Sequence, residues 1–380
     1  MMKRSLLIGL PSTILILTSA MSGVGWYYTG ELEKGAFIVE HALEEFSIIV
    51  SAAGNGTVTL RLPEGTDPED SPGTMGIAWT AGSSMVGPII STDGQETVRT
   101  LVGVTSPEIG EMIRFDKFVF AEDPKIAHGI EFAEVSFPAP LGSLGAWYVD
   151  GEANTWAIFV HGMGSTRREA LRMLPVVVQA GLPALILDYR NDVGAPADPS
   201  TYYQYGLTEW EDLEGAVRYA INGGADDVLL VGYSMGGAIA INFLLQSDLA
   251  HEVSALVLDS PMLDFSATVD LGARNRGIPR SVTAFAKVIA GWRLDVDWSA
   301  LDYLNRADDI DVPILLFHSE TDGRVPVSTS DELAEVRPDI VTYERYETGA
   351  HVGGWNLDRR RYEQAVRRFV SGVTNQAGSG

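Results

Sequence analysis

The chain has 380 residues, 46% of them hydrophobic, with 51 acidic side chains against 27 basic ones, a net charge of −24 and no cysteine. That length and apolar content exclude a disordered chain and provide for one large or two medium domains. The charge argues against nucleic acid or an anionic lipid surface as partner. The missing cysteines exclude disulfides, a thiol nucleophile and thiolate metal sites.

Lys3 and Arg4 precede a charge-free run from Ser5 to Gly30, whose core, Leu6 to Val24, is apolar apart from Ser, Thr, Gly and Pro11. A bilayer core takes about 20 such residues. Trp26, Tyr27 and Tyr28 follow where an interfacial aromatic belt would sit, and Glu31 opens the polar chain. Residues 1–30 therefore read as an uncleaved signal anchor, a single-pass transmembrane helix at the cell membrane. Positive charge ahead of it places the remainder outside the cytoplasm. A cleaved signal would make the protein secreted, but it needs a small-x-small site, and Thr18-Ser19-Ala20 is a poor one. A buried core helix is the third reading.

Residues 31–130 read as a small accessory α+β or β-rich region. A helix is expected from Ala36 to Val50, with Phe37, Ile38, Ala42, Phe46 and Ile49 on one face. Strands are expected at Thr57–Leu62, Gly76–Thr80 and Thr97–Val102, between glycine and proline clusters. No metal-ligand spacing, phosphate loop or internal repeat is legible there.

From residue 131 to about 375 strands alternate with helices. Glu131–Phe137 and Ala146–Val149 form a hairpin. Strands at Trp156–Val160, Ala184–Leu187, Val228–Val231, Ala255–Leu258, Ile314–Phe317 and Val341–Tyr346 are separated by helices at Arg168–Gln179, Thr208–Ile221, Ala238–Leu245, near Ser330–Val336 and at Arg360–Val370. This predicts an α/β fold with a mostly parallel sheet covered by helices on both faces. The alternation breaks over 262–310, a stretch long enough to be a helical lid. Its apolar stripe Phe285, Val288, Ile289 and Trp292 reads as core packing or as the roof of a pocket.

The chemistry centres on Gly232-Tyr233-Ser234-Met235-Gly236. This G-x-S-x-G stands between a short apolar strand and an apolar helix, the context of a nucleophile elbow. A turn that tight forces its apex towards positive φ, and Gly232 and Gly236 let the backbones approach. The plainer alternative is a β–α turn in which serine is merely small.

A serine hydroxyl needs an adjacent base and a third group to orient that base. Of His41, His128, His161, His251, His318 and His351, the last is the candidate base. It lies in Gly349-Ala350-His351-Val352-Gly353-Gly354, beyond the carboxyl end of a strand. His161 reads as a turn-packing residue and His318 as structural. Asp322, just past the Ile314–Phe317 strand, is the candidate acid, with Glu320 and Asp259 as rivals. The Met235 amide and one from His161-Gly162-Met163-Gly164, that of Met163, are the expected oxyanion donors.

These segments, with Asp188-Tyr189-Arg190 and Asp322-Gly323-Arg324-Val325-Pro326, carry a resemblance. Over residues 130–375 the chain resembles the α/β-hydrolase superfamily. More narrowly it looks like membrane-anchored bacterial serine hydrolases of the serine aminopeptidase-like branch, whose helix-start pattern is similar to Tyr205–Leu213. The resemblance implies Ser234, Asp322 and His351 as a catalytic triad. It implies no single substrate, because members include esterases, lipases, thioesterases and peptidases. His318-Ser319 departs from the usual His-Gly, and serine at the apex argues against the branches that place aspartate there. The expectation is an extracytoplasmic, membrane-anchored serine hydrolase. It acts on a carboxylic ester or thioester, a small-molecule acyl substrate that is lipid-derived or otherwise, and requires no metal or cofactor. A serine peptidase and a non-catalytic binding protein are the alternatives.

Overall fold

The computed structural model describes residues 23–40, 45–68, 71, 73–103 and 105–377. It begins with a helix, α1, over residues 23–32, continued as a π turn at Glu33–Phe37. Six strands then close a barrel: β1 (Ile48–Gly54), β2 (Thr57–Arg61), β3 (Met75–Trp79), β4 (Gly82–Asp93), β5 (Glu96–Val102) and β6 (Met112–Asp116). Their order is β1-β2-β5-β4-β3-β6, and all pairs are antiparallel.

Asn55 and Gly56, both at positive φ, form the two-residue turn between β1 and β2, the loop whose twist suits a hairpin. Val50, Val58, Leu60, Ile77, Val86 and Ile113 fill the interior. The region is thus a β-barrel rather than α+β, and no helix spans 45–50. Ile48 and Val50 are buried while Ile49 is 39% exposed. The apolar residues alternate with a period of two, and that period commits the segment to a strand.

A short helix, α2 (Pro124–His128), leads to an eight-stranded sheet: β7 (Ala133–Ala139), β8 (Gly142–Val149), β9 (Thr155–Val160), β10 (Ala184–Leu187), β11 (Asp227–Tyr233), β12 (Val253–Asp259), β13 (Ile314–Ser319) and β14 (Val341–Tyr346). The order is β14-β13-β12-β11-β9-β10-β8-β7. The sheet is mixed, because β8 runs antiparallel to β7 and β10 whereas the strands from β10 to β14 pair in parallel.

The strands are apolar on both faces because both are covered. Val228 and Leu230 of β11 join a core with α4 (Trp210–Asn222) and α5 (Met235–Gln246). Leu229, Val231 and Tyr233 join one with α3 (Leu174–Gln179) and the carboxyl-terminal helix. The helix expected over 168–179 is a 3₁₀ turn, Arg167–Arg172, followed by α3. Helix α4 begins at Trp210 rather than at Thr208, whose hydroxyl donates to Asp198 Oδ2 at 3.3 Å.

Between β12 and β13 lie α6 (Phe265–Asn275), α7 (Arg280–Arg293) and a 3₁₀ segment, Tyr303–Asp309. The sequence reading took this stretch as a helical lid without singling out α6. Asp264 caps α6 by accepting from Ala267 N–H. After β13 come α8 (Val327–Val336), α9 (Gly354–Leu357) and α10 (Arg359–Ala377).

Helix α1 lies on α7. A Cβ at Gly25 would stand 2.6 Å from Phe285 and 2.7 Å from Ile289. Thr29 Oγ1 donates to Ala286 O at 3.0 Å, and Trp26 meets Trp292 with ring centroids 6.4 Å apart. Half of the stripe on α7 is therefore the seat of α1, while Val288 and Trp292 stay exposed. No helix among the described residues is long and apolar enough to cross a membrane. Most of the segment expected to do so, residues 1–22, lies outside the described residues, as does His41.

Candidate active site

β11 runs into α5 with Ser234 between them at φ 52° and ψ −114°. The turn closes only because its neighbours lack side chains. A Cβ at Gly236 would lie 2.1 Å from Val160 O, and one at Gly232 would lie 2.7 Å from Gly236 O and Gly237 Cα. No rotamer change relieves a clash with backbone. Ser234 N–H donates to Asp259 O at 3.0 Å, and Ser234 O accepts from Met262 N–H at 3.1 Å, so both sides of the apex are fixed.

His351 reaches this serine from the loop between β14 and α9. Its Nε2 lies 2.8 Å from Ser234 Oγ and its Nδ1 lies 2.7 Å from Asp322 Oδ2. The Asp322 carboxylate is fully engaged. Oδ1 accepts from Arg324 N–H and Val325 N–H at 2.7 and 3.0 Å, and Oδ2 also lies 3.2 Å from His318 Nε2. Burial pushes the Asp322 pKa up, but hydrogen bonds from His318 and then His351 outweigh it and hold the group well below the usual carboxylate range. The two rival acids are elsewhere. Asp259 accepts from Tyr362 Oη at 3.0 Å and Ser260 Oγ at 3.1 Å, and burial raises its pKa. Glu320 pairs with Arg345 at 3.1 Å.

The loop after β9 faces Ser234, with a Cβ at Gly162 only 3.1 Å from Ser234 Cβ. Met163 sits beside it, and Met235 is the first residue of α5, where amides have no intrahelical acceptor. Both residues line the same cavity as Ser234 and His351. Gly162 N–H donates to the buried Glu169 carboxylate at 2.8 Å. Burial raises the pKa of Glu169, but Lys117, Arg172, the Gly162 amide and His161 together bring it below its ordinary value. Arg172 extends from the same 3₁₀ turn to Val352 O at 2.7 Å and Asn356 Oδ1 at 2.8 Å. One buried ion pair thus braces the Gly162 loop and the His351 loop together. A sequence reading of an amphipathic helix assigns Glu169 and Arg172 to solvent; burial of both is visible only in three dimensions.

The other histidines are accounted for. His318 Nδ1 lies 2.7 Å from Ser330 Oγ, His128 Nε2 lies 2.8 Å from Leu171 O, and His251 is exposed. His161 stacks on Tyr189, with Nε2 2.9 Å from Asp192. Burial lowers the pKa of His161, but the Asp192 charge and hydrogen bond outweigh it and raise the pKa to about 9. His161, Asp188 and Asp192 are the one group among the described residues spaced to hold a metal ion. Their atoms are already engaged, since Arg167 pairs with Asp188 at 3.0 Å and Asp192 also accepts from Tyr189 N–H at 2.8 Å. Arg190, in the Asp188-Tyr189-Arg190 motif, bonds Asp212 through Nε at 2.7 Å and Nη2 at 3.0 Å, which makes that motif a structural brace.

Ser234 and His351 open on a cavity of about 520 Å³. Leu32 and Ala36, Phe265 and Val269 of α6, and Ala286 of α7 form its apolar wall. The barrel contributes Lys117 from the turn after β6. The barrel docks beside the histidine loop: Asn356 Nδ2 donates to Thr74 O at 2.8 Å and Lys117 O at 3.0 Å, and Thr74 N–H donates to Asn356 O at 2.8 Å. Neither Lys117 nor the stretch around Leu32 carries a sequence motif that announces this placement.

The family model described as the alpha/beta hydrolase family matches residues 157–373, more than half of the chain. Curated relatives include an uncharacterized protein of Mycobacterium tuberculosis (strain CDC 1551 / Oshkosh), 26% identical over 238 residues that cover 60% of this chain and 75% of that protein. Another is the uncharacterized protein YqkD of Bacillus subtilis (strain 168), 24% identical over 57% of this chain and 72% of its own. Among solved structures, the esterase Pf2001 of Pyrococcus furiosus superposes in two crystal forms with TM-scores of 0.51 and 0.52 at 21% identity, covering 64% of this chain and 93% and 91% of that one. At that identity the likeness is one of fold.

Proposed function

We propose that this chain, which belongs to the alpha/beta hydrolase family, is a serine hydrolase that cleaves a carboxylic ester or thioester through an acyl-enzyme on Ser234. The observation that carries the reading is the unbroken chain from Asp322 through His351 to a serine held at positive φ on the cavity floor.

In this mechanism His351 Nε2 takes the hydroxyl proton as Ser234 Oγ adds to the acyl carbon. Asp322, kept ionised, holds Nδ1–H and stabilises the imidazolium. The Met163 and Met235 amides receive the developing oxyanion; removing one such donor costs about 3 kcal/mol in comparable sites. His351 then protonates the leaving oxygen or sulfur. A water, deprotonated by the same imidazole, releases the acid and restores the serine.

A fluorophosphonate probe tests the nucleophile: covalent labelling is expected, and its loss in Ser234→Ala. A panel of acyl esters against aminoacyl-anilides tests the substrate class. Higher kcat/KM on anilides would make the protein a peptidase, and a folded protein without labelling or turnover would make it a binding module.

The apolar cavity wall supports an acyl chain as part of the substrate. The charge-free run ahead of Gly23, with Lys3 and Arg4 before it, supports a membrane tether with the hydrolase outside the cytoplasm. Resistance of the full chain to alkaline carbonate extraction is expected; full release would remove the tether.

A further inference from the structure

The cavity that opens on Ser234 carries charge opposite to that of the protein. In a chain of net charge −24 it is lined by Lys117, Arg276, Lys287 and Arg324 against only Glu31 and Glu169. Both carboxylates are occupied: Glu169 by Gly162 N–H and Arg172, Glu31 by Lys34 at 3.7 Å. Lys287 is occupied as well, by Asp270 at 2.7 Å and Ser266. That leaves Lys117, Arg276 and Arg324, whose cationic groups have no hydrogen bond or ion pair among the described residues; Lys117 Nζ has only the Phe118 ring, at 5.0 Å. The three come from separate parts of the fold: the turn after β6, the end of α6, and the loop that supplies Asp322.

Lys117 keeps solvent access yet is crowded, as a side chain inside an open cavity should be. Burial is the main cause that lowers its pKa; Glu169 opposes this, and Arg324 and Arg172 add to it. An anion placed between Lys117 and Arg324 would relieve that repulsion. A cation that lines a ligand-sized cavity and has no protein partner is a group kept for a ligand.

We infer that the substrate carries an anionic group, a carboxylate or a phosphate, remote from the scissile ester, and that Lys117 and Arg324 receive it. This names the substrate class of the hydrolase reading and rests on that reading. The acyl part lies along the Leu32, Phe265 and Ala286 wall, and the anion is held where the barrel and the Asp322 loop meet.

Mono-4-nitrophenyl suberate, with a free distal carboxylate, can be compared with its distal methyl ester, which is neutral and nearly the same length. The kcat/KM for the anionic ester is expected to exceed that for the neutral one by about tenfold or more at low salt, the scale of one charge-assisted hydrogen bond. The preference should fall as salt screens the cations. It should persist in Lys117→Arg, collapse in Lys117→Met and invert in Lys117→Glu, with Arg324→Met as an independent second variant. Calorimetric binding of monomethyl suberate against dimethyl suberate to the Ser234→Ala protein reads the anion subsite without turnover, and the mono-anion is expected to bind more tightly. Turnover of both esters at equal kcat/KM, with no difference in binding, overturns the subsite and leaves the hydrolase. Tighter binding of the mono-anion, lost in Lys117→Glu, with neither ester cleaved, overturns the hydrolase and keeps the subsite. Inorganic phosphate and sulfate serve as the competing free anions: inhibition of the neutral ester by phosphate at millimolar concentrations, lost in Lys117→Met, would support phosphate over carboxylate as the recognised group.

Discussion

The floor and the roof of the cavity are built by different means. The floor is built on backbone contact: a Cβ at Gly236 would strike Val160 O, one at Gly232 would strike Gly236 O, and one at Gly162 would crowd Ser234 Cβ and Tyr233 O. The roof is side chain against side chain: α1 rests on the ends of Phe285 and Ile289, Trp26 leans on Trp292, and Glu33 holds Arg293 at 2.5 Å. A floor of this kind tolerates almost no change, which suits atoms that must meet within a hydrogen bond's length. A roof of this kind shifts at small cost, which suits the part of a pocket that admits a ligand.

Five substitutions or titrations break or sharpen that contrast. Ser234→Ala should abolish probe labelling and lower kcat by about 10⁴-fold or more with the melting temperature unchanged, measured by ester turnover and calorimetry. Asp322→Asn should lower kcat by about 10⁴-fold, because the imidazole loses the acceptor that fixes its tautomer. Asp259→Asn, whose carboxyl faces Tyr362 and Ser260, should leave turnover within a few-fold. Reversal of those two results would reassign the acid.

The third is a pair of glycine substitutions read against each other. Gly236→Ala drives a methyl into Val160 O and should cost about 3 kcal/mol or more in a denaturant titration. Gly25→Ala meets only side-chain ends and should cost about 1 kcal/mol, while changing KM more than kcat. Equal costs would erase the distinction between floor and roof.

Fourth, His161 braces the floor as a cation beside Asp192. Its pKa in the folded state, about 9, lies above the ordinary 6.5. The stabilisation is therefore complete below pH 6.5 and is lost as pH rises through 9. Urea titrations across that window should show stability falling, and His161→Gln should flatten the slope. Smallest of all, Arg293→Met at the roof should cost about 1 kcal/mol or less, because that ion pair keeps partial solvent access.

The floor was also the legible part of the sequence. Gly232, Ser234 and Gly236 stand between an apolar strand and an apolar helix, and a turn so tight has few solutions. Asp322 and His351 were legible as residues at the carboxyl ends of successive strands, and the structure brings His351 to Ser234 and Asp322 to His351. The roof was not legible. The run through Trp26 has the composition of a membrane anchor, and nothing local says that its end packs on α7. The same holds for the barrel. Three of its strands, β2, β3 and β5, stood out by composition, but β1 was hidden in a segment whose apolar spacing also fits a helix, and closure is a non-local property. Glu169, Arg172 and Lys117 acquire their roles from partners far away in the chain, which no periodicity encodes.

Asn356 binds Thr74 and the Lys117 carbonyl on one side and Arg172 on the other, one turn beyond His351. A chain cut near residue 130 to isolate the hydrolase would strip this amide of its acceptors and leave its neighbours facing water. The cut would loosen the segment that aims the imidazole, so the minimal working unit of this protein runs across the apparent domain boundary.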